Sequence, residues 1–207
     1  MKSDHLDWFE GWRLLAVLTL SLVALSAWIA AMRGFEVEGV RMVIRFTARS
    51  SLLLFCLAFS AAALARLWPN VWTRWQRRNR RYLGLGFAAS HAIHAAAIVA
   101  FARMDPAGFA EATSLASYVF GGIGYAVIIA LGATSFDRAV TLLGPRAWRA
   151  LHLAGGYYLW FQFMVSFGKR VPAMPLYGAF LAPLVVVMVV RLVAMAAHPR
   201  RRTAEAN

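Results

Sequence analysis

Six stretches of this chain are apolar over nearly the full width of a lipid bilayer, and that restricts the fold before any motif is considered. They fall at residues 14–32, 51–67, 82–102, 113–133, 147–167 and 176–197. Crossing the hydrocarbon core takes roughly 20 helical residues. Inside lipid an isolated strand leaves its backbone groups unsatisfied, so each window reads as a helix. Charged residues make up 15% of the 207, against about 25% in an ordinary soluble domain. The connections are too short to hold a soluble domain. The fold expected is therefore all-α, a polytopic membrane bundle of six transmembrane helices. Residues 1–198 form its single domain, and 199–207 form a polar, disordered cytoplasmic tail. The first window is read as a retained helix and not as a secretory leader. It is preceded by Asp4, Asp7 and Glu10, where a leader carries positive charge, and its apolar run is too long for one.

The net charge of +13 points to lipid and not to nucleic acid, because the arginines gather at helix ends. Cytoplasmic loops of membrane proteins carry the excess of Lys and Arg. With six spans, one side holds Lys2, Arg13, the block Arg74, Arg77, Arg78, Arg80 and Arg81, then Arg138, Arg146, Arg149 and Arg200–Arg202. The other side holds the smaller set Arg33, Arg41, Arg45, Arg49, Arg103, Lys169 and Arg170. Both termini are expected in the cytoplasm. Arg41, Arg45 and Arg49 recur every four residues, which lines one helical face at the outer interface, where long side chains snorkel.

Trp68-Pro69-Asn70 closes the second span and opens a basic loop, and Met104-Asp105-Pro106-Ala107-Gly108 reads as a turn. Thr134-Ser135 ends the fourth span, Gly144-Pro145 leads into the fifth, and Pro183 predicts a kink in the sixth. Gly84-x-Gly86 and Gly121-Gly122-x-Gly124 lie within spans, where small residues allow close helix approach. No strand and crossover accompany them, so neither is a dinucleotide fingerprint. Cys56 is the only cysteine, which rules out an intramolecular disulfide and disfavours a thiolate metal site.

The histidines carry the chemistry. His91 and His94 lie in the third span and His152 in the fifth. An ionisable residue inside a membrane is costly and marks a partner, a proton path or a metal. Neutral imidazole on facing helices is also a usual axial ligand of haem iron. His91 and His94 are three residues apart and share a helical face. The depths are awkward: His94 lies roughly 18 Å into its span and His152 roughly 7 Å into its own, at 1.5 Å per residue. One flat haem needs ligands at one level, and this pair misses it by about 10 Å by the same rise. Gln162 and Met164 sit deeper in the fifth span, nearer the level of His94. Tyr157, Tyr158 and Trp160 read as packing, and the terminal His5 and His198 as solvated.

Arg80-Arg81-Tyr82-Leu83-Gly84-Leu85, followed by His94, resembles the third-helix motif of the ferric-reductase-like transmembrane superfamily. Thr134-Ser135, then Leu143-Gly144, Trp148 and Leu151-His152, is similar to that family's approach to its fifth helix. The branch most similar is the haem-binding membrane subunit of the bacterial methionine sulfoxide reductase system, over about residues 50–167. The resemblance implies a six-helix bundle of the bacterial inner membrane that carries b-type haem. His94 and His152 would be the ligands to its iron, and His91 an accessory or alternative ligand. Two departures stand out. Val165 occupies the position of a second fifth-helix histidine, and Arg80 that of an inner third-helix histidine.

The expected function is membrane electron transfer, from quinol or a cytoplasmic reductase to an outer-side oxidoreductase partner. Haem b would be the cofactor, quinone a further candidate, and lipid the solvent. The chain would be a subunit and not a complete enzyme, since no flavin or nicotinamide domain is present. The rival is a haemless relative with a structural or assembly role, which the Val165 and Arg80 departures favour. A transporter is weakened by the lack of intramembrane carboxylates, because Asp105 and Asp137 fall in loops.

Overall fold

A computed structural model of the chain describes residues 9–197. His5, His198 and the tail 199–207, expected to be solvated and disordered, lie outside the described residues. Among the described residues there are eight α-helices and no strand: α1 Gly11–Ala31, α2 Val37–Leu67, α3 Val71–Arg78, α4 Arg80–Met104, α5 Pro106–Ala112, α6 Leu115–Ala133, α7 Asp137–Gly168 and α8 Gly178–Ala196. A single 3₁₀ turn, Pro175–Tyr177, precedes α8.

Five helices are long and apolar enough to cross a membrane: α1, α2, α4, α6 and α8 with its preceding turn. The predicted window 147–167 lies in α7, which is not among the five. His152, Tyr157, Tyr158, Trp160 and Gln162 dilute its apolar character, although α7 has the length to cross.

Several expected connections are helical. The basic loop after Trp68 folds into α3, because Asn70 and Thr73 close a reciprocal capping box (Thr73 N–H to Asn70 Oδ1 3.0 Å, Asn70 N–H to Thr73 Oγ1 3.0 Å). The turn at Asp105 starts α5, where Asp105 Oδ1 accepts from Gly108 N–H at 2.9 Å. The second window begins fourteen residues earlier than expected, so α2 runs for 31 residues, about 46 Å at 1.5 Å per residue. That exceeds the hydrocarbon thickness of about 30 Å, and its extra turns carry Arg41, Arg45 and Arg49. Arg45 pairs with Glu38 at 3.0 Å, while Arg41 and Arg49 lie over Phe101 and Phe180. Gly144 takes φ 76°, which breaks α7 just before Pro145 and re-aims its apolar half. α8 continues through Pro183.

α2 is the central helix and packs along α4, α8, α1 and α3. Its core face carries Leu52, Phe55 and Phe59, which meet Leu83 and Phe87 of α4, Leu159 and Phe163 of α7 and Leu184 of α8. Asn79, 1% exposed, ties the α3–α4 junction to α1 by accepting Gly11 N–H at 2.9 Å. α6 lies against α7 and buries only Gly124 and Ile128. α4 and α7 are not among the extensively packed pairs; Phe87 and Phe163, with ring centres 6.1 Å apart, bridge the gap between them.

Candidate functional site: two histidine-lined cavities

Two cavities occupy that gap, one at each end, with Ile128 and Leu159 lining both. The first, about 230 Å³, is lined by Arg80, Arg81 and Gly84 of α4, Ser135, and Trp148, His152 and Gly156 of α7. The second, about 280 Å³, is lined by His91 and His94 of α4, Ile44 and Arg45 of α2, Gly121, Gly124 and Tyr125 of α6, Gln162 and Ser166 of α7, and Arg170 just beyond the end of α7. The structure therefore brings His91 and His94 together and keeps His152 apart, which agrees with the unequal depths read from helix rise. Val165 is 47% exposed on the outside of the bundle; Gln162 and Ser166 are the α7 residues that face His94 across the second cavity. Met164 does not line it and packs against the core.

The glycines expected to bring helices together divide into two groups. A side chain at Gly86 would meet Leu18 at 3.2 Å, so close approach holds there. Gly84, Gly121, Gly122 and Gly124 face nothing within 4 Å, contrary to expectation. Gly84 and, on α6, Gly121 and Gly124 instead leave room in the cavities. Within α7 the tight glycines are Gly155, 3.1 Å from Leu131 and Val127, and Gly156, 3.1 Å from Phe59.

The two histidine sites differ in which ring nitrogen is held. Thr47 Oγ1 donates to Val43 O at 2.7 Å and lies 2.9 Å from His94 Nδ1. Its single proton is committed to the backbone, so the oxygen accepts from His94 Nδ1–H. That leaves Nε2 as the lone-pair nitrogen of His94, the arrangement second-shell partners impose on ligating histidines. A buried hydroxyl cluster reinforces Thr47: Ser90 donates to Thr47 O at 3.2 Å, and Ser51 donates to Ser90 at 2.9 Å. At His152 the same logic gives the opposite tautomer. Thr134 Oγ1 donates to Ala130 O at 2.6 Å and lies 3.0 Å from His152 Nε2, so His152 Nε2 carries the proton. Its ring also lies against Trp148, centres 4.3 Å apart, and Trp148 Nε1 donates to Thr134 O at 2.7 Å.

The second cavity also holds two buried polar atoms, His91 Nδ1 and Tyr125 Oη, without a partner among the described residues. Such groups are rare in native interiors and call for an explanation. The two rings are 5.7 Å apart, and that of His91 is 5.4 Å from that of His94. Gln162 and Ser166 offer polar groups opposite, and Arg45 and Arg170 supply positive charge. The tyrosines and tryptophan of α7 read as packing do pack: Tyr157 sits edge-on to Phe59, Tyr158 donates to Phe120 O at 2.9 Å, and Trp160 donates to Leu184 O at 2.9 Å. Among the described residues no group of three or more His, Cys, Asp or Glu could hold a bare metal ion.

A b-haem supplies its own equatorial nitrogens, so its demands are an axial base, partners for two carboxylates and a slot. The second cavity meets the first two with His94 Nε2 and with Arg45 and Arg170. Its volume is just under the roughly 300–1,000 Å³ of ordinary ligand pockets, and the wall opposite α4 is the lightly buried α6. The first cavity fits less well, because His152 presents Nε2–H to Thr134. Sequence reading missed Thr47, Tyr125 and the intramembrane Arg191. The hydroxyl run Thr47, Ser50 and Ser51 at the start of an apolar window was the available signal. Comparison with protein-family models, curated proteins and solved structures finds no match to this chain.

Proposed function

We propose that this protein is a membrane electron carrier of the ferric-reductase-like kind, holding one b-haem in the second cavity. What supports the reading is the His94 site: an imidazole tethered through Nδ1, beside two unpartnered polar atoms, in a cavity flanked by arginines. His94 would hold the iron through Nε2, with Thr47 fixing the tautomer and ring orientation of His94. Arg170, with Arg45 shared between Glu38 and the cavity, would neutralise the carboxylates, and Gln162 would supply a polar group from α7. When bound, the haem supplies one-electron redox chemistry. The surrounding Phe163, Phe167 and Ile128 exclude water from it.

In this reading α7 is the sixth span, both termini face the cytoplasm of a bacterial cell, and the second cavity opens toward the outer side. Electrons come from quinol or a cytoplasmic reductase and leave to an outer oxidoreductase. Reporter fusions at the two termini then report the same compartment; opposite compartments would mean five spans. The direct test is the absorption spectrum of detergent-purified protein from haem-replete cells, oxidised and then dithionite-reduced. A Soret band that shifts on reduction is expected, and protein without a Soret band overturns the reading.

The haemless structural reading draws on one observation, the first cavity. There His152 has its Nε2 held by Thr134, and Arg80 stands where the family it resembles has a ligand.

A further inference from the structure

We infer that the first cavity binds a phosphate-bearing amphiphile, specifically the head and upper acyl chain of an anionic phospholipid. The argument begins with charge. Two guanidiniums line this cavity, Arg80 and Arg81, and a third, Arg191, lies over Phe59 of its wall; among the described residues the one carboxylate paired with any of them is Asp137, with Arg81. Arg80 lines the cavity and, among the described residues, makes no hydrogen bond or ion pair. Arg191, deep in α8, donates from Nη1 to Phe59 O at 2.8 Å and lies 4.0 Å over the Phe59 ring. Its Nε is buried with no partner.

Arg80 and His152 line the same cavity, and Arg191 lies 4.0 Å over Phe59, which lines it too. Uncompensated like charges at the edge of a low-dielectric interior repel strongly, and an anion between them removes that cost. Basic pockets between transmembrane helices are where anionic headgroups bind.

The walls select the kind of anion. Beyond the arginines the cavity is lined by Phe55, Phe59, Phe87, Leu131 and Leu159. Gly84 and Gly132 face open space there. A free phosphate would satisfy Arg80 and leave this apolar depth unfilled; an acyl chain fills it. His152 directs its Nε2–H to Thr134 beside the head. The inference does not depend on haem in the second cavity.

The test uses the full chain in nanodiscs of phosphatidylcholine alone, of phosphatidylcholine with phosphatidylglycerol, and of phosphatidylcholine with added inorganic phosphate. Phosphatidylglycerol should raise the unfolding temperature by several degrees, and inorganic phosphate should not. Arg80→Gln should abolish the rise, while Arg77→Gln, exposed and outside the cavity, should retain it. An equal rise in Arg80→Gln, or a rise with inorganic phosphate alone, overturns the inference. If Arg80→Gln does not fold, native mass spectrometry of the wild type decides. One retained anionic phospholipid per chain supports the site; none, or a haem lost in His152→Ala, overturns it.

Discussion

The two ends of the α4–α7 gap share an inventory, a histidine, a threonine hydroxyl, a glycine-opened cavity and a pair of arginines, yet they are wired differently. At His94 the threonine lies on a neighbouring helix and takes Nδ1–H. At His152 the threonine sits at the end of α6 and takes Nε2–H. In both, the hydroxyl proton goes to a backbone carbonyl one turn earlier, so the hydroxyl can only accept. The contrast teaches that the neighbour's reach decides which ring nitrogen keeps its lone pair, the outer Nε2 at His94 and the more hindered Nδ1 at His152. Residue type and spacing alone do not carry that information.

The largest effect expected to sharpen this contrast comes from filling each cavity. Gly124→Leu should abolish haem loading, since the added side chain occupies open space in the second cavity. Gly84→Leu, at the other end, should leave haem per polypeptide at the wild-type level. Loss of haem in both would break the distinction.

The threonines provide the next test. Thr47→Val removes the acceptor for His94 Nδ1–H and should weaken haem retention by about 10–100-fold, the usual cost of losing a second-shell partner. Thr134→Val should leave retention unchanged. The rate of haem loss to excess apomyoglobin measures both.

The smallest effect concerns packing. Gly156→Ala drives a methyl group into Phe59, 3.1 Å away, and should destabilise by about 1–3 kcal/mol. Gly84→Ala meets nothing, and its unfolding midpoint should stay level or rise slightly, since alanine favours helix by about 1 kcal/mol over glycine. A lower midpoint for Gly84→Ala than for Gly156→Ala would contradict the assignment of tight and open glycines.

Much of the helical architecture was legible in the chain because lipid leaves the backbone so few choices. Long apolar runs declared α1, α4, α6 and α8, and proline and glycine marked their ends. The unequal depths of His94 and His152 were also legible from helix rise alone. Three features were not. The arginine-rich start of α2 reads as interface, and its helix appears only when those arginines pair with Glu38 and lie over Phe101 and Phe180. The role of Gly84, Gly121 and Gly124 depends on what faces them, which a local pattern cannot state. Thr47 reaches His94 across 47 residues of chain, so its influence on the tautomer is invisible to spacing. Arg191 drew no attention as one charge in an apolar run, yet its contacts with Phe59 and Tyr157 and its lack of a carboxylate make it part of the first cavity's electrostatics.

The central claim is that His94, and not His152, holds the iron. Haem per polypeptide, measured by the pyridine haemochrome of His94→Ala and His152→Ala proteins purified in parallel, tests it most directly. The account predicts that the His94 variant loses its haem and the His152 variant keeps the wild-type amount. Haem retained in His94→Ala, or lost in His152→Ala, would contradict it.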